Sequence, residues 1–307
     1  MVKLLDKPLQ SEYLRRLTDD TGIFQHTKFG IPDRSKGYTT DDNARALIAA
    51  VMLYKQSGDP AWLDCVSTYL SFVHHAQNGD GSFRNFMDYN RNFIEEKGSD
   101  DCLGRCIWAL GFTLSEPCIP DNMHNACRYM INQALPHIKN LRSPRAMAYS
   151  LVGLCFLLDT PYSLTYHFPY PYVETSEAAA NFLPQETIIG LVDEMADMLQ
   201  AQYNQYQKPD WYWFEDSITY GNAMLPWALF KTARLTSRVD LQATAKASLI
   251  FLHHRPLQVT DISNLSAATV GLSTKAKRLC MTNSRSKPAK LCWLVMKLIK
   301  LLAILTI

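Results

Sequence analysis

The sequence predicts an all-α chain folded as an (α/α) toroid of helical hairpins, and three observations carry that prediction. The first is Gly37-Tyr38-Thr39-Thr40-Asp41-Asp42-Asn43-Ala44, where a polar loop opens an apolar helix running to Leu53. Thr39 or Thr40 can cap this helix, and two acids fall in its first turn, where the helix dipole favours anions. The second is Gly98-Ser99-Asp100-Asp101, which opens another apolar helix in the same way; aligning the two Asp pairs gives a period of 59. The third is an offset of 179 residues, shared by Asn43-Ala44 with Asn222-Ala223 and by Phe72-Val73-His74-His75 with Phe251-Leu252-His253-His254. Three periods of about 60 fit that offset. Hairpin repeats whose inner helices are apolar on most faces and begin in polar loops indicate a closed α/α barrel.

Each element follows in order. Residues 10–18 read as an amphipathic helix, with Tyr13, Leu14 and Leu17 on one side. The loop 22–37 holds a polar inventory that includes His26, just before the first inner helix. Residues 61–76 carry Trp62, Cys65, Val66, Tyr69, Phe72 and Val73 at helical spacing, the single stripe of an outer helix. Asn78-Gly79-Asp80-Gly81 is a turn. The second inner helix covers 102–114 and its outer partner 121–135. Ser143-Pro144-Arg145 opens the third inner helix, 146–158, with Pro at a tolerated early position. A long loop follows over 160–172, then a helix over 184–204. Asp210 to Asp216 leads into Tyr220-Gly221-Asn222-Ala223 and the fourth inner helix, whose outer partner is 241–254.

Charge divides the 307 residues in two. All 29 acids and 23 of the 31 Lys and Arg lie in 1–261, leaving that body near −6, which argues against nucleic-acid binding. Residues 262–307 have eight Lys or Arg, no acid and no trace of the 60-residue pattern. The domain reading is therefore a toroid over 1–261 and a basic, apolar tail over 262–307. Four hairpins are legible where a full toroid has six, so the ring reads as incomplete, with four to five hairpins. The abrupt change suggests a non-native tail from a frameshift or truncated frame; its apolar end, 291–307, is short for a membrane span. Eight Cys without a C-x-x-C pair point to buried, reduced thiols and a cytoplasmic protein. No apolar run near the N-terminus is long enough for a secretory signal.

Thr18-Asp19-Asp20-Thr21-Gly22-Ile23-Phe24-Gln25-His26, with Gly37 to Leu47, resembles a bacterial family of six-hairpin (α/α)6 glycosidase-like domains. Ser99-Asp100-Asp101-Cys102-Leu103-Gly104-Arg105 and Tyr220-Gly221-Asn222-Ala223 match the same pattern. The resemblance covers about residues 8–264, and the chain departs from the pattern after Asn264. It implies a toroid in a carbohydrate setting, in a family often fused to or encoded beside glycosyltransferases. Proven catalytic residues do not come with it.

In an α/α barrel the loops before the inner helices converge at one mouth. The candidates there are His26, Tyr38, Asp41 and Asp42 from the first hairpin, Asp100, Asp101 and Arg105 from the second, and Arg145 from the third. The fourth adds Trp211, Trp213, Glu215 and Asp216. Asp42, Asp101 and Glu215 are the expected acid and base carboxylates, since paired acids across a cleft can cleave a glycosidic bond. Trp211 and Trp213 are expected to stack on sugar rings, and the remainder to bind substrate. The acids also suit simple dipole complementarity, Arg45 and Arg105 suit structural pairing with them, and the two Trp suit inter-helix packing. Neither H-E-x-x-H, P-loop nor G-x-G-x-x-G is present, so no metal or cofactor is expected. The expected activity is glycoside-hydrolase-like, on an oligo- or polysaccharide. The other readings are a glycan-binding or scaffolding partner of a glycosyltransferase, or an inactive truncated pseudo-enzyme. No nucleic-acid or membrane partner is expected.

Overall fold

The computed structural model describes residues 11–160 and 185–254, together with the backbone of the two-residue strand Leu272–Ser273. After a short α1 (Glu12–Arg16), the chain forms four helical hairpins: α2 (Thr40–Ser57) with α3 (Pro60–Ala76), α4 (Asp100–Leu114) with α5 (Asp121–Ile138), α6 (Pro144–Asp159) with α7 (Gln185–Tyr206), and α8 (Met224–Thr236) with α9 (Val239–His254). Successive inner helices α2, α4, α6 and α8 pack side by side, each backed by its own outer helix. This is the predicted (α/α) toroid architecture. The expected long loop over 160–172, apart from its first residue, and nearly all of the 262–307 tail lie outside the described residues. Among the described residues, no helix is long and apolar enough to cross a membrane.

Burial separates the two layers. Helix α4 buries twelve of its 15 residues and α6 twelve of 16, whereas α7 buries seven of 22 and α9 five of 16. An inner helix meets neighbours on both flanks and its outer partner behind, so little of its circumference can be polar. Contact between α4 and α6 is made by backbone. A Cβ on Gly153 would run into the Ile107 carbonyl, one on Gly111 into Gly153, and one on Gly104 into Ala146. Only glycine permits so short an interaxial distance.

Side-chain capping fixes where the first three inner helices begin. Thr39 Oγ1 accepts the Asp42 N–H, Ser99 Oγ the Cys102 N–H, and Ser143 Oγ the Ala146 N–H. These caps reset the repeat. Thr39 aligns with Ser99 at a spacing of 60, not 59, so Asp41 corresponds to Asp101 and Arg145, and Arg45 to Arg105 and Tyr149. Asp42 corresponds instead to Cys102. The 179-residue offset holds for the outer helices, which start at Pro60 and Val239 and end in the two His-His pairs. It fails at the start of α8, because Pro226 has no N–H to return to the carbonyl four residues back, and Asn222 lies in a turn.

Short strands stitch the loops above the inner helices. Strand β1 (Thr27–Lys28) pairs with β2 (Ile31–Pro32), and β3 (Tyr38–Thr39) with β4 (Phe86–Met87). The second pairing seats the start of α2 against the loop that precedes α4. There Thr40 Oγ1 donates to the Arg84 carbonyl at 2.6 Å, and the Asp41 N–H donates to Asn85 Oδ1 at 3.1 Å. Gly37 makes that approach possible: its φ is +61°, and a side chain would meet the Met87 carbonyl. Strand β5 (Ser217–Ile218) pairs with β6 (Leu272–Ser273). Of the six described cysteines, all but Cys118 are buried, and all six are free thiols.

Candidate functional site

The inner-helix N-termini converge on a continuous lattice of charges. Arg105 is its centre: Nη1 contacts Asp41 Oδ2 at 2.5 Å, and Nη2 lies 3.7 Å from Asp101 Oδ2 and 3.2 Å from the Tyr149 hydroxyl. On the α2 side, Arg45 contacts Asp41 at 3.5 Å and Asp42 at 2.5 Å, from i+4 and i+3 positions on one helical face. Asp42 Oδ2 also accepts the Thr39 hydroxyl at 2.7 Å. On the far side, Arg145 Nη1 reaches Glu215 Oε2 at 2.7 Å, its Nε donates to the Tyr220 carbonyl at 2.5 Å, and Nη2 lies 3.4 Å from Asn222 Oδ1. Tyr220 joins the two halves, donating its hydroxyl to Asp101 Oδ2 at 2.6 Å. Ser143 Oγ, which also caps α6, donates to Asp101 Oδ1 at 2.9 Å.

Asp41, Asp42, Asp101, Arg105, Arg145 and Glu215, six of the sequence candidates, lie together in this lattice. All of them are largely buried: the side chain of Arg145 is 5% exposed, Arg105 11%, Asp101 13% and Glu215 23%. Four carboxylates face three guanidiniums here, so one carboxyl has no full countercharge. Burial pushes the Asp42 carboxyl above the ordinary carboxylate range and Asp41 beside it adds to the rise, against the opposing pull of Arg45 and Thr39. Burial also works against the Arg105 charge, yet Asp41, Tyr149 and Asp101 outweigh it and hold the guanidinium charged. Burial, reinforced by the hydrogen bond to Asp101, keeps the Tyr220 phenol protonated well above its usual range.

Six candidates lie elsewhere or do other work. Trp211 and Trp213 are 4% and 0% exposed and pack against Phe251, with Trp213 also edge-on to Phe214. Trp211 Nε1 donates to the Glu215 carbonyl, so this indole braces the Glu215 loop from within. Neither ring has a face open to a sugar; inter-helix packing is what they do. Tyr38 is also buried, stacked on Phe24 at 4.8 Å with its hydroxyl on Asp19, and belongs to the core of the first hairpin. Asp100 is exposed and accepts the backbone N–H groups of Arg142 and Ser143, tying the start of α4 to that of α6. Asp216 is exposed beside Glu215. His26 is half-buried in the loop before α2, where its carbonyl accepts the Asp33 N–H.

Sequence reasoning overlooked Tyr149 and Tyr220 as site residues. Tyr149 was findable, because the Thr39, Ser99 and Ser143 caps put it in register with Arg45 and Arg105. Tyr220 stood next to the recognised Gly221-Asn222-Ala223 motif, but its link to Asp101 spans 119 residues. Beneath the lattice, Trp108 stacks on Tyr149 at 5.8 Å and meets Trp227 edge-on at 5.8 Å, giving the mouth a rigid aromatic floor.

No family model matches the sequence, and no curated protein matches it at the level of sequence. Solved structures do resemble it. A sugar epimerase from a ruminal bacterium superposes with a TM-score of 0.61 at 12% identity, over 86% of this chain and 72% of its own. Cellobiose 2-epimerase from Bacillus thermoamylovorans B4167 superposes with a TM-score of 0.58 at 10% identity, over 80% and 69%. A D-mannose isomerase gives 0.54 at 11% identity, over 78% and 66%. At such identities the likeness establishes the fold, an (α/α) barrel architecture shared with these proteins.

Proposed function

We propose that this protein is a carbohydrate-active enzyme that works by carboxylate acid/base chemistry at the inner-helix mouth, with hydrolysis of a glycosidic bond as its reaction. The observation that carries the reading is the lattice itself, in which Asp42, a carboxyl that burial raises above the ordinary carboxylate range, shares one mouth with the ion-paired Asp41, Asp101 and Glu215. One guanidinium bridges Asp41 and Asp101, and Arg45 links Asp41 to Asp42, so the three carboxyls belong to one ion-pair network. Asp101 is the base, positioned by Tyr220, Ser143 and Arg105 to take a proton from water. Asp42 is the acid that protonates the departing glycosidic oxygen, and Glu215, clamped by Arg145, closes the third side. The products are two saccharides, one with a new reducing end.

The fold likeness to sugar epimerases and an isomerase favours a second reaction on the same residues, proton transfer at a sugar carbon next to a carbonyl. The engagement of both Asp101 oxygens by the Ser143 and Tyr220 hydroxyls favours a third reading, a glycan-binding partner of a glycosyltransferase. Proton NMR of a panel of neutral oligosaccharides incubated with the protein in D2O separates the three. An increase in the total number of reducing-end anomeric protons marks hydrolysis. Loss of a ring-proton signal to deuterium, without new reducing ends, marks epimerisation or isomerisation. Saturation transfer without turnover marks binding alone. Silence in all three measurements would overturn the proposal.

A further inference from the structure

We propose that Tyr220 is the saccharide-positioning residue of this mouth, its ring the platform on which a neutral sugar rests and its hydroxyl the group that orients Asp101. The inference rests on the carbohydrate reading above and names the surface that the substrate meets.

Three observations converge on this residue. Tyr220 is 53% exposed, while every carboxylate and guanidinium it touches is largely buried. The Arg145 and Arg105 guanidiniums lie 4.8 and 5.9 Å from its ring centroid, so cations back the ring while much of it remains open to solvent. It is also fixed at both ends: the carbonyl accepts Arg145 Nε, and the hydroxyl donates to Asp101 Oδ2. Gly221 makes the placement possible, since its φ of +57° turns the chain over the mouth, and a side chain there would meet the Tyr149 hydroxyl. A rigid aromatic with one wet surface and a polar tip loses little entropy when a ligand settles on it. The buried Trp211 and Trp213 cannot fill this role; Tyr220, from the same hairpin, can.

The choice of a neutral sugar follows from the same lattice. Arg45, Arg105 and Arg145 are each committed to carboxylates in the mouth. An anionic sugar would have to displace one of those pairs.

Two variants separate the ring from the hydroxyl. Tyr220→Phe keeps the platform and loses the hydrogen bond to Asp101. Tyr220→Leu keeps most of the bulk over Arg145 and loses both, and circular dichroism with thermal melting verifies that each folds. Affinity is read by saturation-transfer NMR with cellobiose and mannobiose, and KM and kcat on whichever of the two turns over. The expected result is a KM and Kd within twofold of the parent for Tyr220→Phe with kcat lowered at least tenfold, and a Kd raised about tenfold for Tyr220→Leu. A parent that binds and a Tyr220→Leu variant that binds equally well would overturn the proposal while leaving the carbohydrate reading standing. A parent that neither binds nor converts either disaccharide would overturn both.

Discussion

Replacing Arg105 by methionine tests whether the charge lattice organises the mouth. Methionine preserves most of the aliphatic stem and removes the guanidinium, which leaves Asp41 and Asp101 facing each other without their shared cation. Removing one partner of a buried ion pair costs about 3–5 kcal/mol, because the remaining charge stays desolvated. Here the loss is moderated: Asp41 keeps Arg45 at 3.5 Å, and Asp101 keeps the Ser143 and Tyr220 hydroxyls. An unfolding free-energy loss of ~3 kcal/mol is therefore expected at pH 7, with a fall in Tm of about 6 °C or more. Urea denaturation at constant ionic strength measures it. Adding Asp101→Asn to Arg105→Met should return ~1–2 kcal/mol, because it removes one of the two stranded charges. A loss below about 0.5 kcal/mol, as for an exposed surface pair, would refute the reasoning.

Three further predictions rest on other parts of the structure. Gly153→Ala places a methyl group against the Ile107 carbonyl and should destabilise the protein by about 3 kcal/mol or more in urea, whereas Gly190→Ala, with open space at its Cα, should gain ~0.5–1 kcal/mol. Trp213→Ala should cost about 3–5 kcal/mol of stability as a core truncation, with any saccharide affinity retained in the protein that stays folded. Asp42 gives a pH signature. Its folded pKa lies above its unfolded value, so the folded state binds the extra proton, and its contribution to stability falls as pH rises from about 4 through the folded pKa. The stability of Asp42→Asn relative to the parent should then rise between pH 4.5 and pH 7.5; a difference independent of pH would show that Asp42 ionises normally.

Much of the architecture was legible because the repeat is written in local chemistry. Caps at Thr39, Ser99 and Ser143, the apolar bodies behind them and the outer stripes ending in His-His are short-range features, and helix periodicity reads them directly. The Asp pairs alone put the register off by one residue because adjacent acids align equally well in either frame; the capping hydroxyl, one or two positions earlier, is what the backbone obeys. Arg105 was expected to bind substrate, with structural pairing as the alternative, and both Arg45 and Arg105 pair with the acids. Trp211 and Trp213 were misplaced because a Trp-Tyr-Trp stretch in a loop suits a sugar platform and a core equally well, and only the packing against Phe251 decides. Tyr220 was overlooked for a different reason. Its role depends on a segment crossing from the fourth hairpin to the second, a tertiary fact that carries no local period.

The most direct test of the account compares the parent protein with Asp101→Asn in the D2O NMR time course on neutral oligosaccharides. The parent should turn over, with an increase in reducing ends, and the variant should react at least about 100-fold more slowly, while saturation transfer shows that both still bind the sugar. Equal rates in the two proteins would contradict the account, since the carboxylate to which Ser143, Arg105 and Tyr220 all point would then have no part in the chemistry.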